Sequence, residues 1–150
     1  MHTLATIGYE RTTPAALVEA LKAAGVEILV DVRAVASSRR PGFAKKALTA
    51  HLAEGGIEYL HLRGLGTPAA GRVAARAGRH EEMRTIFTRH LKTHEAQDDL
   101  EVLVDLVETG RRACLLCLEA EPAHCHRQLV ADAVATRVPV RLNHLFPIRV

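Results

Sequence analysis

Aromatic residues are scarce in this 150-residue chain, which has no tryptophan, two tyrosines and three phenylalanines. So few rings leave little to stack on the bases of a single-stranded nucleic acid, and the core has to be aliphatic. Apolar runs stop at four to six residues, far short of the roughly 20 needed to span a bilayer. The first residues also lack the charged, apolar, small-residue pattern of an export signal, so a cytoplasmic protein with no membrane partner is expected. Cysteine is low and odd in number, at Cys114, Cys117 and Cys125, which speaks for free thiols over a disulfide framework. There is no Walker phosphate loop, and Gly64-Leu65-Gly66 lacks the third glycine of a dinucleotide fingerprint. Internal repeats and low-complexity tails are absent as well.

What is present is the size and rhythm of one domain spanning 1–150. Leu4 to Ile7 reads as a strand ended by Gly8, and Thr13-Pro14 as an N-cap with proline at the first helical position. Leu17, Leu21 and Ala24 follow at helical spacing until Gly25. Val26 to Val32 is a β-branched run of the kind buried on both faces of a parallel sheet. Phe43, Ala47, Leu48 and Leu52 mark a second helix, and Ile57 to Leu60 a third strand. Arg63 to Arg79, rich in glycine and arginine, reads as a long loop holding at most one short helical turn. Helices are predicted over about 81 to 94 and 97 to 109, a strand over 112 to 118, a helix from Pro122 to Ala135, and a weaker last strand over 140 to 145. The alternation predicts an α/β fold, a three-layer domain with a mostly parallel sheet of about five strands and helices on both faces.

In open parallel sheets the ligand crevice lies past the carboxyl ends of the strands, and here those positions are chemically rich. They hold Tyr9 and Glu10, then Asp31 and Arg33 with Arg39 beyond, then His61 and Arg63, and finally Cys117 and Glu119 with His124, Cys125, His126 and Arg127. Asp31 is placed to support Arg33 or the neighbouring backbone. Cys125 falls at a predicted helix N-terminus beside His126 and Arg127, where a thiol is pushed toward thiolate. The same residue also suits plain burial at a helix start. With Glu119, Cys125 and His126 are the candidate catalytic groups. Arg33, Arg39 and Arg127, with Tyr9 and Arg63, are the candidate substrate-binding residues, since guanidinium groups fork onto phosphate, sulfate or carboxylate. Cys114 and Cys117 are three apart on a strand, so they face opposite sides and cannot share a metal. Cys117, Cys125, His126 and His124 are zinc-ligand types, but nothing elsewhere supplies a second ligand pair, so neither a metal nor a cofactor is expected.

The net charge of +3 is uneven, because residues 33 to 92 carry a local +8 and the remainder −5. A basic face of this kind suits an anionic small molecule or nucleic acid. The leading expectation is therefore a domain that binds or acts on a phosphate-bearing ligand. A non-catalytic nucleic-acid module using Arg63, Arg72, Arg76 and Arg79 is the alternative. The sequence leaves open whether the protein is an enzyme and what its oligomeric state is.

Four ordered segments carry a family resemblance: Thr6-Ile7-Gly8-Tyr9-Glu10; Asp31-Val32-Arg33 through Ser38-Arg39-Arg40-Pro41-Gly42-Phe43; Gly56 to Arg63 with Leu65-Gly66-Thr67-Pro68; and Leu116-Cys117-Leu118-Glu119 through Pro122-Ala123-His124-Cys125-His126-Arg127. On these the chain resembles bacterial proteins of the domain-of-unknown-function 488 family. The resemblance implies an α/β domain with the motifs meeting at one site, and it carries candidate roles to Arg33, Arg39, Glu119, Cys125, His126 and Arg127 without naming a reaction. Ala36 stands where relatives commonly have proline. Asp31-Val32-Arg33 and a late-strand cysteine are also faintly similar to rhodanese-like sulfurtransferases, which implies a thiol-based sulfur carrier as a further alternative.

Overall fold

Thr13 and Pro14 start the first helix as expected: the Thr13 hydroxyl accepts from Ala16 N at 3.1 Å, and proline follows at the first turn. The computed structural model describes residues 1–149. In chain order the elements are β1 (His2–Gly8), α1 (Pro14–Ala23), β2 (Ile28–Asp31), α2 (Lys45–Glu54), β3 (Glu58–His61), α3 (Ala69–Arg76), α4 (His80–Leu91), α5 (His94–Glu108), β4 (Ala113–Cys117), α6 (Arg127–Ala135) and β5 (Val140–Leu145). Short 3-10 turns occupy Arg63–Leu65 and Pro122–His124. The five strands form one all-parallel sheet in the order β3-β2-β4-β1-β5.

Alternation along each strand sends neighbouring residues to opposite faces, and each face has its own core. Ala5 and Ile7 of β1, Leu29 of β2, and Cys114 and Leu116 of β4 pack under Leu17 and Leu21 of α1 and Leu48 and Leu52 of α2. Leu4, Ile28, Val30, Ala113 and Leu115 face the other way, toward Ala74 of α3, Met83 and Phe87 of α4, and the apolar stripes of α5 and α6. The fold is thus a three-layer α/β domain.

The strand order explains why helices divide this way. From β1 the chain moves one way across the sheet through β2 to β3; it then crosses back to β4 and on to β5. A right-handed crossover puts the helices of the two directions on opposite faces. The segments leaving β1 and β2 therefore diverge from the one leaving β4, and a crevice opens at the carboxyl end of β4 between them.

Two elements differ from the sequence expectation. The stretch from Arg63 to Arg79 is not a long loop, since it holds the two-turn helix α3. That helix buries only Gly71 and Ala74, small residues that leave no stripe of large apolar side chains, while Arg72 and Arg76 lie on its cavity side. The helix expected to run unbroken from Pro122 is instead interrupted at Cys125, which is extended (φ −127°, ψ 147°).

The end of β1 has to approach the loop after β4 closely, and Gly8 permits it. Tyr9 N donates to Cys117 O at 3.1 Å and Glu10 N to Leu118 O at 2.8 Å. A Cβ added at Gly8 would collide with the backbone carbonyl of Glu119, which cannot swing aside as a side chain can. Gly8→Ala is expected to lower urea-unfolding stability by about 1–3 kcal/mol, the usual cost of overpacking. Unchanged stability would show that the two strand ends do not pack in this way.

Candidate functional site

A cavity of about 360 Å³ occupies the crevice, lined by Tyr9 and Arg33 from the first two strand ends, Arg72 and Arg76 from α3, and Cys117, Glu119, Cys125 and His126 from the β4–α6 connection. Its size falls within the usual range for small-molecule pockets, about 300–1,000 Å³.

Arg33 belongs to a buried knot. Asp31, fully inaccessible, accepts Arg33 N at 3.0 Å, Arg33 Nε at 2.9 Å, Arg33 Nη2 at 2.7 Å and the Tyr59 hydroxyl at 2.5 Å. Arg33 Nη1 donates to Phe43 O at 2.8 Å, and the guanidinium carbon lies 5.3 Å from the centre of the Tyr9 ring, which itself stacks on Phe43. Burial works against the Arg33 charge, but the Asp31 hydrogen bonds and its negative charge outweigh it and hold the guanidinium protonated. Burial together with donation to Asp31 pushes the Tyr59 hydroxyl up. Asp31 thus supports both Arg33 and the backbone. Most of the Arg33 donors are occupied before any ligand arrives.

Arg127 is fully buried too, and it holds the other wall. Its Nη1 donates to Glu119 O and to the Cys117 sulfur, the latter at 3.3 Å, and its Nη2 donates to Ala120 O at 3.2 Å. Nε is buried with no hydrogen-bond partner. Burial pulls the Arg127 pKa down. The side chain is therefore a strut under the loop after β4, and it does not line the cavity.

The break in the helix at Cys125 turns the His126 ring inward, where Nε2 donates to Val32 O at 2.7 Å and Nδ1 faces Cys125 Sγ at 3.7 Å. A carbonyl can only accept, so the proton is on Nε2 and Nδ1 presents its lone pair. Burial, with no carboxylate in contact, pulls the His126 pKa down to about 4. Glu119 lies with its Oε2 3.7 Å from Cys117 Sγ, and burial pushes its carboxyl above the ordinary range. The Cys117 and Cys125 sulfurs are joined as a disulfide, where the sequence had spoken for free thiols, although their Cα atoms stand 7.2 Å apart. That separation exceeds the usual disulfide span of about 4.4–6.8 Å. Cys125 is 3% exposed, in line with burial at a helix start. Cys114 is buried on the opposite face among apolar side chains, which push its thiol up.

Of the residues singled out from the sequence, Tyr9, Arg33, Glu119, Cys125 and His126 meet in one cavity, with Arg127 beneath it. Arg39 is exposed on the loop before α2, outside the lining. Arg63 is also exposed and lines a separate shallow depression with Gly66, Pro68 and Glu95. The cations facing the cavity without a carboxylate partner among the described residues are Arg72 and Arg76. Sequence reading had put these two in a nucleic-acid clamp. The signal that could have placed them is their spacing of four, one helical turn apart on the same face.

A model of the domain of unknown function DUF488 matches residues 13–134. The chain belongs to that family. No curated protein matches it, and no solved structure does. The matched span covers Arg33, Arg72, Arg76 and the whole β4–α6 connection, so most of the cavity lies inside the DUF488 match, and Tyr9 lies just before it.

The depressed His126 pKa fixes a pH dependence. Free histidine titrates near 6.5, so as pH falls the unfolded chain takes up its proton first. Stability from neutral His126 is complete above about pH 6.5 and is lost as pH falls toward 4. In chelator-treated protein, the urea stability of the native chain should drop by about 3 kcal/mol relative to His126→Gln between pH 7 and pH 4. Glu119 acts in the opposite sense but is common to both proteins. A constant difference between the two would show that His126 is not held neutral.

Proposed function

We propose that the cavity at the carboxyl end of β4 binds a small, phosphate-bearing anion through Arg72 and Arg76. One observation carries this reading: two arginines without carboxylate partners, one turn apart on α3, face a concave site whose floor holds the Cys117, Glu119, Cys125 and His126 side chains. Arg72 is already oriented, since its Nη1 donates to the Thr67 carbonyl at 2.9 Å and leaves the rest of its fork free. Arg33, neutralised by Asp31 in a buried pair, forms part of the cavity wall.

The floor supplies candidate chemistry at the bound anion. A carboxyl with a raised pKa is a proton donor closer to neutrality than an ordinary glutamate, and Glu119 is of that kind. His126 is a neutral imidazole whose Nδ1 faces Cys125 Sγ at 3.7 Å. A concave pocket of about 360 Å³ favours a small molecule over a nucleic-acid strand. A sulfur carrier would need a solvent-facing thiol, whereas Cys117 and Cys125 are 2% and 3% exposed.

Calorimetric titration with inorganic phosphate and with nucleoside mono- and diphosphates tests the assignment. Arg72→Ala and Arg76→Ala should each weaken binding by about tenfold or more, the worth of a charged hydrogen bond, and Arg39→Ala and Arg63→Ala by less than about twofold. A loss at Arg39 or Arg63 with none at Arg72 would overturn the assignment.

A further inference from the structure

The residues under the cavity also converge on a point where no protein atom is needed to complete a coordination shell. Cys117 Sγ, Cys125 Sγ and a His126 ring nitrogen all lie within 4.8 Å of one another, and they come from three supports: the last residue of β4, the extended break, and the N-cap of α6. We propose that Cys117, Cys125 and His126 form a three-ligand site for a borderline-soft divalent cation of the zinc class, with its open coordination position facing the cavity.

Three independent features point to a cation there. The first is the tautomer of His126. Its Nε2–H is tied to the Val32 carbonyl, leaving Nδ1 as the ligand atom, and metal-binding imidazoles characteristically donate their other ring N–H to just such a carbonyl or carboxylate.

The second is Arg127. Among the described residues this fully buried guanidinium has no carboxylate partner; its donors go to two carbonyls and the Cys117 sulfur. An N–H aimed at a sulfur favours its thiolate, the form that ligates a cation, and the neighbouring Glu119 and Glu121 direct negative charge at the guanidinium. Two thiolates, one neutral imidazole and one divalent ion sum to zero, so the site adds no net charge beside Arg127.

The third is the spacing of the cysteines. A Cα separation of 7.2 Å is wide for a disulfide. Once that bond is reduced, two thiolates on this spacing can each stand about 2.3 Å from a shared ion.

The ligand set selects the ion by softness. Two thiolates and an imidazole favour zinc over magnesium or calcium, which take oxygen ligands. Three protein ligands are the number found where zinc keeps a position for water or substrate. All three line the cavity, so that position opens toward the space between Glu119 and α3. The expectation from sequence that no metal binds rested on the lack of a second ligand pair; three converging atoms with an open fourth position remove that objection.

Cation uptake does not depend on the anion reading and is measured with no anion present. The chain, purified under reducing conditions and stripped with a chelator, is titrated with cobalt(II) and separately with zinc. One equivalent of cobalt should produce the visible bands of a tetrahedral ion and a thiolate-to-cobalt charge-transfer band, and zinc should displace it. Cys117→Ser and Cys125→Ser should each weaken cobalt binding by more than about 100-fold, beyond the loss typical of outer partners, while Cys114→Ser should leave it unchanged.

Should either serine variant fail to fold, X-ray absorption on the native zinc form counts the ligands directly, with two sulfurs at about 2.3 Å and one nitrogen at about 2.0 Å expected. A shell of nitrogen and oxygen alone would overturn the site. So would absence of the charge-transfer band, or a Cys117–Cys125 disulfide in protein never exposed to oxidant. Phosphate binding to chelator-treated protein, lost on Arg72→Ala, would persist in that case and keep the two failures distinct.

Discussion

A guanidinium group taken out of water must find acceptors for its N–H groups or cost several kcal/mol, and this domain buries two. Arg33 meets the demand with a carboxylate, and the Asp31–Arg33–Tyr59 knot closes the end of β2 against β3 and the Phe43 carbonyl. Arg127 meets it with backbone carbonyls and a sulfur, folding the segment after β4 back over the start of α6. Between them these side chains set the walls of the cavity. They do so by committing their donors to the protein, which is why ligand-facing charge has to come from elsewhere.

Topology decides where that charge enters. The chain reverses its direction of travel across the sheet after β3, so the segments after β1 and β2 leave toward one layer and those after β3 and β4 toward the other. Gly8 lets the end of β1 press against the Glu119 carbonyl, bringing the thiols and His126 to the floor. The long crossover from β3 to β4 then lays α3 over the opening with Arg72 and Arg76 toward the cavity. Anion-facing charge thus comes from α3, and the half-buried acid and the sulfur–imidazole cluster from the β4–α6 connection.

Much of this could be read from the sequence because the strands and most helices carry strong local signals. The Thr13-Pro14 start, the β-branched Val26–Val32 run and the apolar stripe of α5 each specify their element without help from tertiary contacts. The crevice residues were legible because function in a parallel sheet gathers after strands. Helix α3 was not, since its buried side is alanine and glycine and its period is carried by the arginines Arg72 and Arg76 of a stretch whose four glycines and proline pointed to a loop. Arg33 and Arg127 looked like ligand grips because composition cannot say whether a guanidinium ends in solvent or in the core. The Cys117–Cys125–His126 convergence depends on an extended residue inside an otherwise helical pattern, and no residue type between Pro122 and Arg127 announces that break.

The division of labour among the arginines is the central claim, and side-chain nitrogen resonances of ¹⁵N-arginine report on it residue by residue. On addition of inorganic phosphate or a nucleoside monophosphate, the Nε–H signals of Arg72 and Arg76 should shift in proportion to occupancy. The Arg33 Nε–H, held by Asp31, should be slow to exchange with water before and after. A ligand-induced shift led by Arg33 or Arg127, with Arg72 and Arg76 unmoved, would contradict the account.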